Sequence, residues 1–154
     1  MKYTLEESIK YSKQGKIEEW VQSFLRDDKA LYASPNYALA DGLNLEERFY
    51  YGPVEFYLYE ITPIRVEDDL SGNELEYYSK VVDRMANDFN GNNFPPLILE
   101  YRNNKFYLTD GNHRYSTLKR LGIDKYYSII WGNKELENEI QEKYEKKIRR
   151  WFYE

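Results

Sequence analysis

An α+β fold, a small mixed β-sheet with packed helices and a helical extension ahead of it, follows from three observations. Apolar residues in the first third recur at helical spacing. After Gly52-Pro53 the texture turns to β-branched and aromatic residues. Beyond that point strand-like and helix-like runs alternate, in the order strand, helix, hairpin, helix, strand, helix. The 154 residues suit one domain. Within it, 1–50 read as a helical lead-in, 51–132 as the core and 133–154 as a C-terminal helix.

Ile17, Trp20, Val21, Phe24 and Leu25 fall on one helical face. Gly15 separates that helix from a weaker one over Leu5 to Lys13. Ser34-Pro35-Asn36 signals a turn, and a short helix from Tyr37 to Leu39 should end at Gly42. The run Val54, Phe56, Leu58, Ile61, with interleaved tyrosines, predicts a strand over 53–61 that Pro63 ends or places at an edge.

Ser71 and Glu74 have the spacing of a capping box, and Leu75, Tyr78, Val82, Met85 and Phe89 continue as an amphipathic helix up to Gly91. Leu97 to Tyr101, the Asn103-Asn104 turn and Lys105 to Thr109 predict a hairpin over 97–109. Asp110-Gly111 breaks the second strand. A helix over 112–121 should then bury Tyr115, Leu118 and Leu121 and end at Gly122. Lys125 to Trp131 is the last strand. Asn133 is expected to cap a final helix with Leu136, Ile140, Tyr144, Ile148 and Trp151 inward.

Composition excludes several chemistries. There is no Cys, so a disulfide scaffold, a cysteine zinc site, an iron–sulfur centre and a thiol nucleophile are ruled out. The lone His rules out a three-histidine zinc site. A net charge of −5 argues against a global electrostatic grip on nucleic acid. No apolar run is long enough to span a membrane. The first residues lack an apolar signal core, so a cytoplasmic location is expected.

The informative segment is Thr109-Asp110-Gly111-Asn112-His113-Arg114-Tyr115. It sets the only histidine beside an arginine in the first turn of a helix, right after a strand and a glycine. Helix starts expose backbone N–H groups and carry partial positive charge. Glycine admits close backbone approach, and a guanidinium fork matches phosphate oxygens. These parts together make an anion site. Asp110 has three open roles there: metal ligand, orienter of His113, or base. The bland alternative is plain punctuation, with Asp110 or Asn112 as a helix cap and His113 and Arg114 on the surface.

Pro96-Leu97-Ile98-Leu99, Phe106 to Tyr115, Leu118 to Gly122 and the closing strand to Trp131 resemble the ParB/sulfiredoxin superfamily, over about half the chain. Glu19-Trp20-Val21, Phe24-Leu25, Leu39 to Leu43 and Gly52-Pro53-Val54 resemble the helical lead-in of small ParB-like bacterial proteins. The resemblance implies a ParB/sulfiredoxin-like sheet and a phosphate site lined by Gly111, Asn112, His113 and Arg114. It implies a nucleotide or phosphorylated small molecule as partner, with Mg2+ and ATP, ADP or CTP as candidate cofactors. It also suggests Arg65 as a further phosphate contact, and Asp110, His113 and Glu60 as catalytic groups of a Mg-dependent phosphotransferase or nucleotide hydrolase. The alternatives are a non-catalytic regulatory or DNA-associated module, and a ParB-like nuclease.

Departures from the pattern narrow this. Sulfiredoxin chemistry needs cysteine, which is absent. The 23 residues that follow Trp131 read as one helix, so a helix-turn-helix region is not expected there. Glu67-Asp68-Asp69 reads as a solvated loop. Lys143, Lys146, Lys147, Arg149 and Arg150 follow Glu135, Glu137, Glu139 and Glu142 in an order that suits the helix dipole and i,i+4 pairing, without nucleic acid.

Overall fold

The computed structural model describes residues 2–64, 69–91 and 94–148. Arg65, Glu67, Asp68, Arg149, Arg150 and Trp151 lie outside the described residues. The fold is α+β: a five-stranded mixed sheet with helices on both faces.

The lead-in forms three helices, α1 (Leu5–Lys13), α2 (Ile17–Arg26) and α3 (Tyr37–Leu43). Thr4 caps α1 by accepting from the Glu7 amide at 3.2 Å. The predicted apolar face of α2 is buried in full, Ile17, Trp20, Val21, Phe24 and Leu25. Asn36 caps α3 through the Leu39 amide at 3.1 Å, and Gly42 lies inside that helix rather than at its end.

The sheet order is β1 (Arg48–Tyr57), β5 (Lys125–Asn133), β3 (Leu97–Arg102), β4 (Lys105–Asp110), β2 (Ile61–Pro63). The expected strand over 53–61 is two strands on opposite edges. β1 starts earlier because it pairs antiparallel with β5 from Arg48 to Tyr57, with a bulge between Tyr51 and Val54. It stops at Tyr57, where a 3-10 turn over Leu58–Glu60 redirects the chain and the Glu60 carboxylate accepts from the Tyr57 amide at 2.8 Å. Pro63 then sits on the edge strand β2, where a missing N–H costs little. The β3–β4 hairpin forms as expected, with Asn103 and Asn104 both at positive φ, 51° and 60°.

The central strands are buried on both faces, which explains the unbroken apolar runs of β3 and β5. Ile98, Ile129 and Trp131 face α2 and α3. Leu97, Leu99 and Ile130 face the other side, with Met85, Leu118 and Ile140 from α4 (Gly72–Asp88), α5 (Asn112–Arg120) and α6 (Glu137–Lys143).

Three local expectations fail. Ser71 stands at the start of α4 but makes no side-chain capping bond, so the capping box does not form. Leu121 is 41% exposed, because α5 ends at Arg120 and turns it off the buried face. The final helix is broken into a 3-10 turn (Lys134–Leu136), α6 and α7 (Glu145–Ile148). Asn133 does not cap it, because its side chain accepts from Arg48 instead. Ile140 and Ile148 are nevertheless buried as expected. No helix among the described residues is long and apolar enough to cross a membrane.

Candidate functional site

The β4–α5 junction opens into a cavity of about 490 Å³. That volume suits a small organic ligand. Three segments wall it: the loop from Leu31 to Asn36, a stripe of α4 (Tyr77, Val81, Arg84, Met85, Asp88), and the junction itself from Thr109 to Arg114. The helical lead-in is therefore part of the site, because its α2–α3 loop closes one side.

Gly111 begins α5 in the left-handed region, at φ 110°. Two constraints demand glycine there. A side chain would be strained at that φ, and a Cβ would sit 2.9 Å from both Arg114 Nη2 and Leu97 Cδ2. With glycine at the cap position, the cap residue itself gives the first turn of α5 no side-chain hydrogen bond. The first turn of α5, the end of the helix that carries partial positive charge, forms part of the cavity wall.

Asp110, Gly111, Asn112, His113 and Arg114 all line the cavity. Their states differ. Arg114 is 2% exposed. Its Nη1 donates to the Tyr32 carbonyl at 3.2 Å, and its Nη2 donates to the Pro96 carbonyl at 3.1 Å and to Asp110 Oδ2 at 3.4 Å. The guanidinium also lies over the Phe24 ring, 5.3 Å from its centroid. Burial pushes its pKa down, and the Asp110 carboxylate opposes that shift. The expected role as counter-charge for a ligand therefore does not fit Arg114. Its fork pins α5 to the lead-in loop and to the start of β3.

Asp110 is engaged in turn. Its Oδ1 accepts from Asn36 Nδ2 at 3.1 Å, while Oδ2 takes the Arg114 contact. His113 stacks on Tyr78 with ring centroids 4.3 Å apart. The Tyr78 hydroxyl donates to the Asn112 carbonyl at 2.9 Å, which leaves it to accept from Ser116 Oγ at 2.7 Å. Helix α4 thus sets the orientation of both His113 and the first turn of α5. Asn112 Oδ1 is a buried acceptor with no hydrogen-bond partner among the described residues.

The structure does not bring Glu60 to this site. Glu60 lies outside the cavity lining, accepts from Lys147 Nζ at 3.1 Å, and caps its own turn. Arg65 lies outside the described residues. Among the described residues, no group of three His, Cys, Asp or Glu side chains comes together to hold a metal ion. The carboxylates of the cavity lining are Asp88 and Asp110, and both Asp110 oxygens accept hydrogen bonds from Asn36 and Arg114.

Sequence reasoning missed Arg84 and Tyr77. Arg84 is exposed on the cavity wall and makes no hydrogen bond or ion pair among the described residues. Its signal was the stripe Tyr77, Val81, Arg84, Asp88, which keeps helical spacing one step out of phase with the buried stripe Tyr78, Val82, Met85.

No family model matches the chain, and no curated protein matches it. Among solved structures it is similar to a conserved hypothetical protein from Pyrococcus furiosus, with 19% identity over 50% of this chain and 31% of that one, at a TM-score of 0.37. It is also similar to a mutant free serine kinase in complex with AMP, with 18% identity over 55% of this chain and 32% of that one, at a TM-score of 0.36. The match thus spans about a third of the length of either structure. At these scores neither likeness bears on the site, which stands on its own geometry.

Proposed function

We propose that this protein binds a small phosphorylated molecule, of the nucleotide or sugar-phosphate kind, in the cavity at the head of α5. The phosphate lies against the first turn of α5, and Arg84 supplies the counter-charge. The apolar wall of Leu31, Val81 and Met85 takes the rest of the ligand. One observation carries this reading: a single cavity joins a helix start without a side-chain cap to an exposed arginine that has no ion pair among the described residues.

The reading favours binding over phosphoryl transfer. Transfer needs a group that orients or deprotonates the acceptor. Asp110 is already held by Asn36 and Arg114, and Glu60 is turned towards Lys147. Arg114 and Asp110 act as positioning residues for the anion-facing turn.

Thermal unfolding in the presence of ATP, ADP, AMP, CTP, ribose 5-phosphate and inorganic phosphate tests the proposal. A ligand at 100 times its Kd should add about 2.7 kcal/mol of stability. The expected result is stabilisation by at least one organic phosphate that Arg84→Gln weakens. Stabilisation by none of them would refute the reading.

A further inference from the structure

Residues 27–36 join α2 to α3 without helix or strand. The stem of this loop is fixed. The Asn36 amide donates to the Leu25 carbonyl at 2.7 Å, and the Asn36 side chain both caps α3 and donates to Asp110. A loop with its ends this close is a compact unit whose tip can move without disturbing the helices it joins. The tip is held differently. The Tyr32 carbonyl accepts from Arg114 Nη1 at 3.2 Å, and the Tyr32 ring packs on Phe94 with centroids 5.0 Å apart. Tyr32 makes these contacts in the left-handed region, at φ 62°, a strained backbone for a bulky side chain. The same guanidinium leaves its Nε buried with no hydrogen-bond partner among the described residues, which is a second cost. Both costs fall where the loop tip meets α5. Beside Tyr32, Leu31 lines the cavity and is 65% exposed, and Tyr77 on the α4 wall lines it too and is 70% exposed. Two large apolar side chains of different walls thus stay wet while the cavity is open.

We infer that residues 28–35 are a lid that closes the cavity by carrying Leu31 onto Tyr77. The stem at Leu25 and Asn36 stays in place while the tip moves. Closing buries apolar surface that the open cavity leaves in water, and it frees Tyr32 from its left-handed backbone. It also shields the cavity from solvent. A ligand is enclosed on more sides when the lid is closed, and so favours that position. The inference rests on the cavity being the binding site, as proposed above, and on no particular ligand.

Distances between nitroxide labels test it. The chain has no cysteine, so labels attach only where cysteines are introduced. Lys29→Cys on the lid is paired with Lys80→Cys on α4, which leaves Leu31 and Tyr77 intact. Ala38→Cys on α3, paired with the same Lys80→Cys, is the control. All three positions are exposed. Pulsed electron resonance should give two distances for the 29–80 pair and one for the 38–80 pair. Saturating ribose 5-phosphate or inorganic phosphate should raise the shorter 29–80 population about twofold. Leu31→Ser or Tyr77→Ala should remove that population and leave the 38–80 distance unchanged. A single 29–80 distance with and without the phosphates would overturn the lid, even where the phosphates bind. A 38–80 distance that splits in the same way would also overturn it, because the whole lead-in would then be moving. Two 29–80 distances that the Leu31 and Tyr77 variants remove, but that neither phosphate redistributes, would support the lid and count against the phosphate reading.

Discussion

Arg84 and Arg114 line the same cavity, yet one is exposed and the other is 2% exposed. Arg114 spends its donors on two backbone carbonyls and the Asp110 carboxylate. Arg84 spends none among the described residues. A guanidinium is the same chemical group in both places, so the difference lies in what surrounds it. A buried cation must be satisfied by the protein itself, because desolvation is too costly otherwise. An exposed one can wait for a ligand. Position next to a motif is therefore a poor guide to role, and the state of a side chain's donors is a better one.

The comparison breaks most visibly at Arg114. Arg114→Met keeps much of the volume but leaves Asp110 without its counter-charge, and the loss of stability should be about 3–5 kcal/mol. Urea unfolding measures it, and adding Asp110→Asn should restore part of the loss. An Arg114→Met protein as stable as the wild type would show that the pin carries no weight.

Gly111→Ala comes next. It places a Cβ at φ 110° against Arg114 and Leu97. A cost of about 1–3 kcal/mol is expected from backbone strain alone, and the denaturation midpoint should fall accordingly.

The tyrosines give a pH test that involves neither arginine as a ligand group. Burial pushes the phenols of Tyr50, Tyr51, Tyr101 and Tyr126 well above their usual value, and Tyr3 up to about 12. Hydrogen bonds to Glu137 and Glu139, each at 2.6 Å, add to the effect at Tyr51 and Tyr101. In the unfolded chain these groups lose their protons near pH 10. Between pH 10 and 12 the unfolded state therefore binds fewer protons than the folded one, and stability falls as pH rises. The contribution is fully present below pH 10. The urea midpoint should drop between about pH 10 and 12, and a flat profile would contradict the buried placement of these rings.

Arg84→Gln is the mildest change for the fold. It removes an exposed side chain, so stability should stay within about 0.5 kcal/mol of the wild type. Affinity for the phosphate ligand should drop about tenfold, in line with the loss of a charged hydrogen bond. The wild-type affinity should weaken with added salt more than that of the variant, since exposed charges are screened.

Much of the fold was legible because its signals are local. The apolar stripe of α2 and that of α4 state their helices by spacing alone, and Asn103-Asn104 states the hairpin. The misread elements are those decided by distant pairing. β1 extends back to Arg48 because β5 is there to pair with it. Asn133 abandons its cap for Arg48, which lies 85 residues away. The site divides in the same way. Its place at the β4–α5 junction was legible from Asp110-Gly111 and the helix that follows. The burial of Arg114 was not, because its carbonyl partners at Tyr32 and Pro96 are 82 and 18 residues away. Arg84 went unread because its stripe on α4 becomes a cavity wall only through the 31–36 loop and the β4–α5 junction, both distant in sequence.

The central claim is that the start of α5 faces an anion opposite Arg84. Amide chemical shifts of the 15N-labelled protein, followed as AMP is added, test it most directly. The account predicts the largest changes at Gly111, Asn112 and His113, with a smaller change at the Arg84 side chain, all weakened in Arg84→Gln. Shifts confined to another surface, or AMP binding that leaves the 111–113 amides unmoved, would contradict it.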